Sequence, residues 1–477
     1  MIVRRTILTG VVLSTLSGSW GTACAEPQTP TPAPVPGAYE PIGHEWRHKL
    51  SVQAGYGPED SAIGNDRDDF HSITYEPTFT WYSPEKRWSR WMIFARANLT
   101  YDSGNATNSL ASDDFDYVDT ERPEYFYAEA REFYVQRNLL GDDPRFSLSL
   151  GRQAFSDRYG LFWDDSIESL RLKYDDSFSR GFVAIGQKFW NYNSDVNSLG
   201  DREEKILYAM GEYALRWHAN HWSGLRLLYE RDYSDNDPDD PQDFTGWRAG
   251  VFFSGDDLDF TAFSDYHLEL AFLEGDIDAT DNQLARSRHH TSGAALVGEI
   301  GKRFHEVTWQ PRVALRVGMT DKPADENDGF HLNGIQSDRI VNPGSYNTRL
   351  VSSFVRLNMR NLTYYGASLE LRPTPRSALD LRVTDLRLRN PDGDLPIRTS
   401  QEERDARRTQ IRAGTFNGGR SVGQIVDVNY YWRMFPLAYE GRHLNLSGLI
   451  NLGYLKAGSA VPSGDDYQLS LGLIATY

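Results

Sequence analysis

The chain has almost no cysteine: Cys24 is the only one in 477 residues. It lies in MIVRRTILTGVVLSTLSGSWGTACAEP, where Arg4 and Arg5 precede an apolar run from Ile7 to Leu16 and the small-residue triplet Ala23-Cys24-Ala25. That is the pattern of a secretory signal over residues 1–25, too short and wrongly flanked for a membrane span. Acylation of Cys24 as a lipoprotein is the weaker reading, because Gly21 stands where a branched apolar residue is expected. Cleavage after Ala25 leaves a chain without thiols. Disulfides, thiol catalysis and thiolate metal sites are then excluded, which suits an exported bacterial protein.

Long hydrophobic runs are also missing. No stretch after the signal approaches 18 consecutive apolar residues, so no transmembrane helix is expected. Mean hydropathy is −0.56. Positive charge is in deficit, with 50 Lys and Arg against 67 Asp and Glu, a net charge of −17. An acidic balance argues against nucleic acid as a partner. It does not exclude a polyanion inside a pore, because the field there depends on the lining residues and not on the sum. Much of the acid sits in SDDFDYVDTE (112–121) and SDNDPDDPQD (234–243), both read as loops.

Aromatic residues are plentiful, at 13% of the chain. Residues 26–45 form a Pro-rich leader expected in the periplasm, and from residue 46 to 477 the pattern repeats. Segments such as RWMIFARANLTY (90–101), ILYAMGEYALRW (206–217), PRVALRVGM (311–319) and ALDLRVTDLRL (378–388) alternate apolar and polar side chains. Strands of this length suit a tilted bilayer crossing, whereas soluble strands are nearer 5–6 residues. The final segment, YQLSLGLIATY, alternates down to the terminal aromatic Tyr477. The expected fold is all-β: a transmembrane antiparallel β-barrel of about 18 strands, with 20 the alternative, forming a monomeric pore in the outer membrane. With both termini periplasmic, connections after odd strands are extracellular. Loops 102–123, 322–348 and 389–421 are then external, and the first two narrow the mouth.

Motifs for catalysis do not hold up. GRSVG around Ser421 matches G-x-S-x-G, but a strand-like VGQIVDVNYYW follows where a nucleophile elbow needs a helix. FHEVTW begins like a zinc motif, yet Trp309 stands where the second histidine is required. His289 and His290 read as residues of a polar loop. No enzyme, cofactor or metal is expected, with calcium on the acidic loops the one remaining option.

The other constellation is arginine at strand positions: Arg131, Arg137, Arg152, Arg171, Arg316, Arg349, Arg356, Arg382 and Arg387. On the lipid face at mid-membrane each would cost about 2–4 kcal/mol, so most should point inward or lie at the rim. Inward arginines would line a pore favouring anions, alone or paired with acids such as Glu129 and Asp164. YAEAREFYVQR (127–137) poses a problem of its own, because Arg131 and Glu132 are adjacent and strict alternation puts one of them in lipid. A bulge would turn both inward. LGRQ (150–153) repeats the problem, with Arg152 on the parity of Leu148 and Leu150 and with Gly151 as the place for a bulge.

AREFYVQ (130–136), LGRQ (150–153), FWDDSIESL (162–170), GQKFWNYNSD (186–195) and NGIQSDR (333–339) together resemble the alginate export porins of Gram-negative bacteria. The resemblance is densest over 125–200 and extends to about 435. It implies an 18-stranded barrel whose electropositive lumen carries an acidic exopolysaccharide, alginate foremost, out of the periplasm. It also implies that Arg131, Arg152, Asp164, Arg356 and, less securely aligned, Arg349 line the pore, with Glu129 beside them. Outer-membrane lipid, lipopolysaccharide and periplasmic polymer-export proteins are the implied partners. A diffusion porin for small anions, or an exporter of a different acidic glycan, is the alternative. Two departures stand out. Asn445 and Ser447 replace an inward arginine pair on the penultimate strand, and the periplasmic plug before it shrinks to FPLAYEGRH (435–443).

Overall fold

A computed structural model describes residues 43–58, 69–83, 90–103, 125–141, 143–195, 197–199, 204–234, 242–258, 262–280, 286–324, 328–335, 352, 355, 359–393, 395–396, 409–411, 413, 418–439, 442–461 and 464–477. Its strands run in chain order: β1 (His44–Tyr56), β2 (Asp69–Tyr82), β3 (Trp91–Asp102), β4 (Phe126–Leu140), β5 (Asp143–Ser156), β6 (Asp164–Asp175), β7 (Ser179–Gln187), β8 (Ile206–His218) and β9 (His221–Asp232). The second half continues with β10 (Gln242–Gly255), β11 (Asp265–Thr280), β12 (Arg286–Arg303), β13 (Arg312–Thr320), β14 (Leu362–Thr374), β15 (Ser377–Leu388), β16 (Ser421–Tyr439), β17 (Arg442–Ala457) and β18 (Asp466–Thr476). Every strand pairs antiparallel with its sequence neighbours, and β1 pairs with β18 to close an 18-stranded barrel. Closure leaves no free sheet edge for lipid to meet.

Alternation sets the two faces. Along β15, Val383 and Arg387 are exposed, while Asp380, Arg382, Thr384 and Leu386 between them are buried. The exposed set is largely Leu, Val and aromatic residues around the whole wall. Rings gather at both ends: Trp46, Trp91, Trp217 and Trp309 at the short-turn end, and Tyr56, Tyr101, Trp247 and Tyr454 at the other. Such girdles mark the two membrane interfaces. Connections after even strands are short, as at 219–220, where Asn220 takes a left-handed φ of 59°. The longest connections, 103–125, 188–205, 321–361 and 389–420, all follow odd strands. The start of β1 and the end of β18 lie at the short-turn end, His48 and Tyr477 exchanging backbone hydrogen bonds of 2.9 Å. Short turns face the periplasm in outer-membrane barrels, which puts these strand ends there.

The strand expected after Ser421 is present, and two other expectations change in detail. Ser421 opens β16 and no helix follows it, so the elbow has no structural basis. His289 and His290 belong to β12 and not to a loop; the strand extends past the lipid-facing zone, and His290 lies against Asp276 of β11 at 3.3 Å. FPLAYEGRH is not a plug: β16 and β17 simply extend through it, Pro436 pairing with Asn445 and Tyr439 with Arg442. The 102–123 loop lies almost wholly outside the described residues. Replacing outward, mid-strand Val383 by Arg should lower unfolding stability by about 2–4 kcal/mol in urea titrations of barrels refolded into vesicles.

Candidate functional site: an inward hairpin and a charged hinge

In the β3–β4 ladder Arg96 pairs with Glu132 and Ala97 with Ala130, so Arg131 is the extra residue of a β-bulge. Arg131 and Glu132 are consecutively buried, each 5% exposed, while the next residue, Phe133, is 59% exposed. The bulge is the solution to the adjacent charges. Arg131 Nη1 meets Glu129 Oε1 at 2.7 Å, and Glu132 meets Arg96 Nη2 at 2.8 Å.

At LGRQ the solution is different. The β4–β5 ladder runs one-to-one through Tyr134–Gly151 to Phe133–Arg152 and stops there, with no bulge at Gly151. Gly151 instead takes a φ of 131°, and a Cβ on it would stand 2.3 Å from the Phe133 carbonyl oxygen. Only glycine fits that close approach. Beyond this point β5 and β6 continue as a hairpin, pairing to Ser156–Asp164, while β4 goes on without them. The first backbone N–H past the break, that of Ala154, donates to Glu132 Oε1 at 2.9 Å.

A second segment takes the vacated place beside β4. Residues 188–195, following β7, form a strap that hydrogen-bonds β4: Ala130 N to Tyr192 O and Ser194 N to Ala128 O, each 2.9 Å. The strap turns Phe189 and Trp190 outward. Arg152 has the parity of exposed Leu150 but is buried, because the strap covers it. Its guanidinium donates to Glu168 at 2.9 Å and to the Trp190 carbonyl, and lies 4.9 Å from the Tyr192 ring centre. The Phe189 N–H donates to the other oxygen of Glu168 at 3.0 Å, and Lys188 Nζ reaches Asp165 at 3.1 Å. Three cations (Arg131, Arg152, Lys188) thus meet three carboxylates (Glu129, Asp165, Glu168) where the hairpin leaves the wall.

The hairpin tip, residues 157–163, points into the barrel. Asp157 shapes it by accepting the N–H groups of Tyr159, Leu161, Phe162 and Trp163 at 2.7–3.2 Å. Burial, then the nearby Glu269 carboxylate, push the Asp157 acid upward, while Arg226 and these N–H groups act against them. Phe162 fills the space above Gly250 of β10, where a Cβ would come within 2.6 Å of its ring. The described part of the 322–348 loop folds inward as well: Asn333 donates to the Phe162 carbonyl, Asp164 N–H to Ile335 O, and Arg248 to the His331 carbonyl. The connection expected to narrow the passage therefore lies inside it, on the hairpin.

Of the residues singled out from the sequence, Glu129, Arg131 and Arg152 are brought together at the hinge. Asp164 lies nearer the hairpin tip, opposite Ser156 with its N–H on Ile335 O, and its neighbour Asp165 is the acid that engages Lys188. Arg349 and Arg356 lie outside the described residues. Arg137 and Arg387 face outward near the two rims, against Trp91 and Tyr365 respectively. Sequence reasoning missed Asp157, Asp165, Glu168 and Lys188. The hint was there in paired acids flanked by aromatics in FWDDSIESL.

Further round, β8 to β15 carry an ion-paired belt. Arg226 joins Glu212 and Glu269; Arg312 joins Asp265 and Glu299; Arg316 reaches Glu299 at 2.6 Å; Arg303 reaches Glu370 at 2.8 Å; Arg382 reaches Asp380 at 2.6 Å. No group of three or more potential metal ligands occurs among the described residues.

AREFYVQ, LGRQ, FWDDSIESL, GQKFWNYNSD and the start of NGIQSDR all meet at this hairpin and its hinge. A family model described as alginate export matches residues 59–469. The chain belongs to the alginate export family. It is 24% identical over 391 residues to alginate production protein AlgE of Pseudomonas aeruginosa, covering 76% of this chain and 77% of that one. To the AlgE of Azotobacter vinelandii it is 24% identical over 343 residues, covering 66% and 68%. Among solved structures, the outer membrane protein OpdK of P. aeruginosa aligns with 91% of this chain and 99% of its own, at 10% identity and a TM-score of 0.53. OccAB2 of Acinetobacter baumannii aligns over 91% and 98%, at 10% identity and a TM-score of 0.52. The fold of this family member is thus shared with outer-membrane porins, and it is an outer-membrane barrel.

Removing one partner of a buried ion pair strands the other. Arg131→Ala should destabilise the barrel by roughly 3–5 kcal/mol, and adding Glu129→Ala should recover part of that loss. Urea midpoints of the single and double variants refolded into vesicles measure both.

Proposed function

We propose that this protein is a channel, not an enzyme, that carries an acidic exopolysaccharide, alginate foremost, from the periplasm to the cell exterior. The observation that carries this reading is the meeting of the five family-like segments at one ion-paired hinge on the inward hairpin. Uronate carboxylates suit planar guanidinium forks. Passage requires that each hold be weak enough to release. Arg131 and Arg152, already engaged by Glu129 and Glu168, suit that need, since a carboxylate on the polymer competes with one on the wall. Arg349 and Arg356 are proposed to line the same pore, and Asp164 to set the polarity beside it. Outer-membrane lipid and lipopolysaccharide surround the wall, and periplasmic polymer-export proteins deliver the chain at the short-turn end.

A second reading is favoured by one specific feature, the inward Asn445 and Ser447 on β17. With no arginine there, a diffusion porin for small anionic solutes, or an exporter of a different acidic glycan, fits as well. Current through the purified protein in planar bilayers separates the readings. Export of a polyuronate predicts anion selectivity that falls in Arg131→Ala and Arg152→Ala, together with transient block by oligouronates. Cation selectivity with indifference to oligouronates contradicts it.

A further inference from the structure

The filling of the barrel is one-sided. Its main apolar cluster draws on strands from β5 to β17 and on the hairpin tip and the 330–335 segment; among the described residues none comes from β18, β1, β2, β3 or β4. The charges on the filled side are sealed in, with Arg226, Glu269, Glu299, Arg312 and Glu370 all buried.

The opposite wall differs in both respects. Its inward side chains include Asn445 and Asn451 of β17, Gln468 of β18, Ser51 of β1, and Thr74 and Thr78 of β2, which are uncharged and only half-buried. Strand register aligns this wall: Asn451 is opposite Ser470, Ser51 is opposite Thr74, and Thr74 is opposite Thr100 with hydroxyls 3.3 Å apart. At one margin Asn429 of β16, opposite Asn451, is fully buried, and neither amide atom has a hydrogen-bond partner. At the other margin Asn98 of β3 holds an unpartnered amide oxygen, two residues from Arg96. Charge returns in Lys49 opposite Glu76, and at the rims in Glu45, Arg47 and Asp466.

Amides and hydroxyls both donate and accept, which is what sugar hydroxyls require; guanidinium only donates and carboxylate only accepts. We propose that the polymer travels along the β17–β18–β1–β2–β3 wall, resting the hydroxyl edge of its sugars on this neutral row and turning its carboxylates to Arg96 and Arg131, where they compete with the wall's own Glu132 and Glu129. This rests on the export reading and adds a substrate class: a glycan recognised mainly by its hydroxyl groups, with charge the lesser part.

The test is the residence time of two probes in single channels: cellohexaose, an uncharged β-1,4-linked chain, and hexamannuronate. Wild type is compared with an Asn445→Leu/Gln468→Leu/Thr74→Val variant, its folding checked by heat-modifiable gel migration. Both probes should block the wild type, and the triple variant should shorten both residence times roughly tenfold or more at unchanged anion selectivity. If the triple variant does not fold, Thr74→Val alone should shorten them roughly twofold. Unchanged residence times overturn the neutral row and leave the export reading intact. Block by hexamannuronate without block by cellohexaose does the same. Block by cellohexaose alone supports the row and removes the acidic cargo, whereas block by neither removes both.

Discussion

A strand edge in a membrane wall must find a hydrogen-bonding partner, because lipid offers none. The rest of this structure depends on how that constraint is met at β4. Folding the β5–β6 hairpin inward strips β4 of its neighbour above Phe133. The strap restores the lost backbone bonds at Ala128 and Ala130, and Glu132 satisfies the first stranded N–H of β5. The wall stays closed although two of its strands have bent away. The inward hairpin is possible only because a segment some forty residues later takes its place.

The hinge charges follow from the same event. Where strap, hairpin and β4 diverge, they enclose a space that neither lipid nor apolar packing fills. Three cations and three carboxylates occupy it with short contacts. Buried pairs are weak evidence of stability, since desolvation offsets much of their attraction. They do enforce geometry: no one of the six can be removed without leaving a partner uncompensated. The hairpin tip, shaped by Asp157, then leans on β10, and the 330–335 segment settles on it. Among the described residues they fill one side of the barrel, while mid-wall on the other side amides and hydroxyls face inward around the Lys49–Glu76 pair, so a family described by its anionic cargo presents here a wall whose cations are largely paired.

Much of this was legible in sequence. Alternation and strand length gave the barrel and its strand number, and the terminal Tyr477 marked the closing strand. The adjacency of Arg131 and Glu132 pointed to a bulge, since no straight strand keeps both charges out of lipid. Gly151 was singled out correctly but for a different reason: it is a point of close approach and unusual φ, not an inserted residue. Arg152 was harder. Its parity says lipid, and only the strap, distant in sequence, reverses that. Asp165 was missed for a related cause, because the side of the hairpin that faces the strap cannot be read from β6 alone. The one-sided filling was hidden too, as it arises from contacts between loops more than 160 residues apart, such as Asn333 with Phe162.

Among the described residues the interior is sealed along β8 to β14, and the polymer path proposed above requires it to be open along β17 to β3. Cys24 is the only cysteine of the chain, so single cysteines placed in a Cys24→Ser background report alone. Cysteines at Ser51 and Thr74, and in parallel at the buried Ala271 and Ala295, would be exposed during current recording to a membrane-impermeant methanethiosulfonate reagent. Rapid modification with a stepwise fall in current is expected at Ser51 and Thr74, and no reaction at Ala271 or Ala295. Equal reactivity on both sides would contradict it.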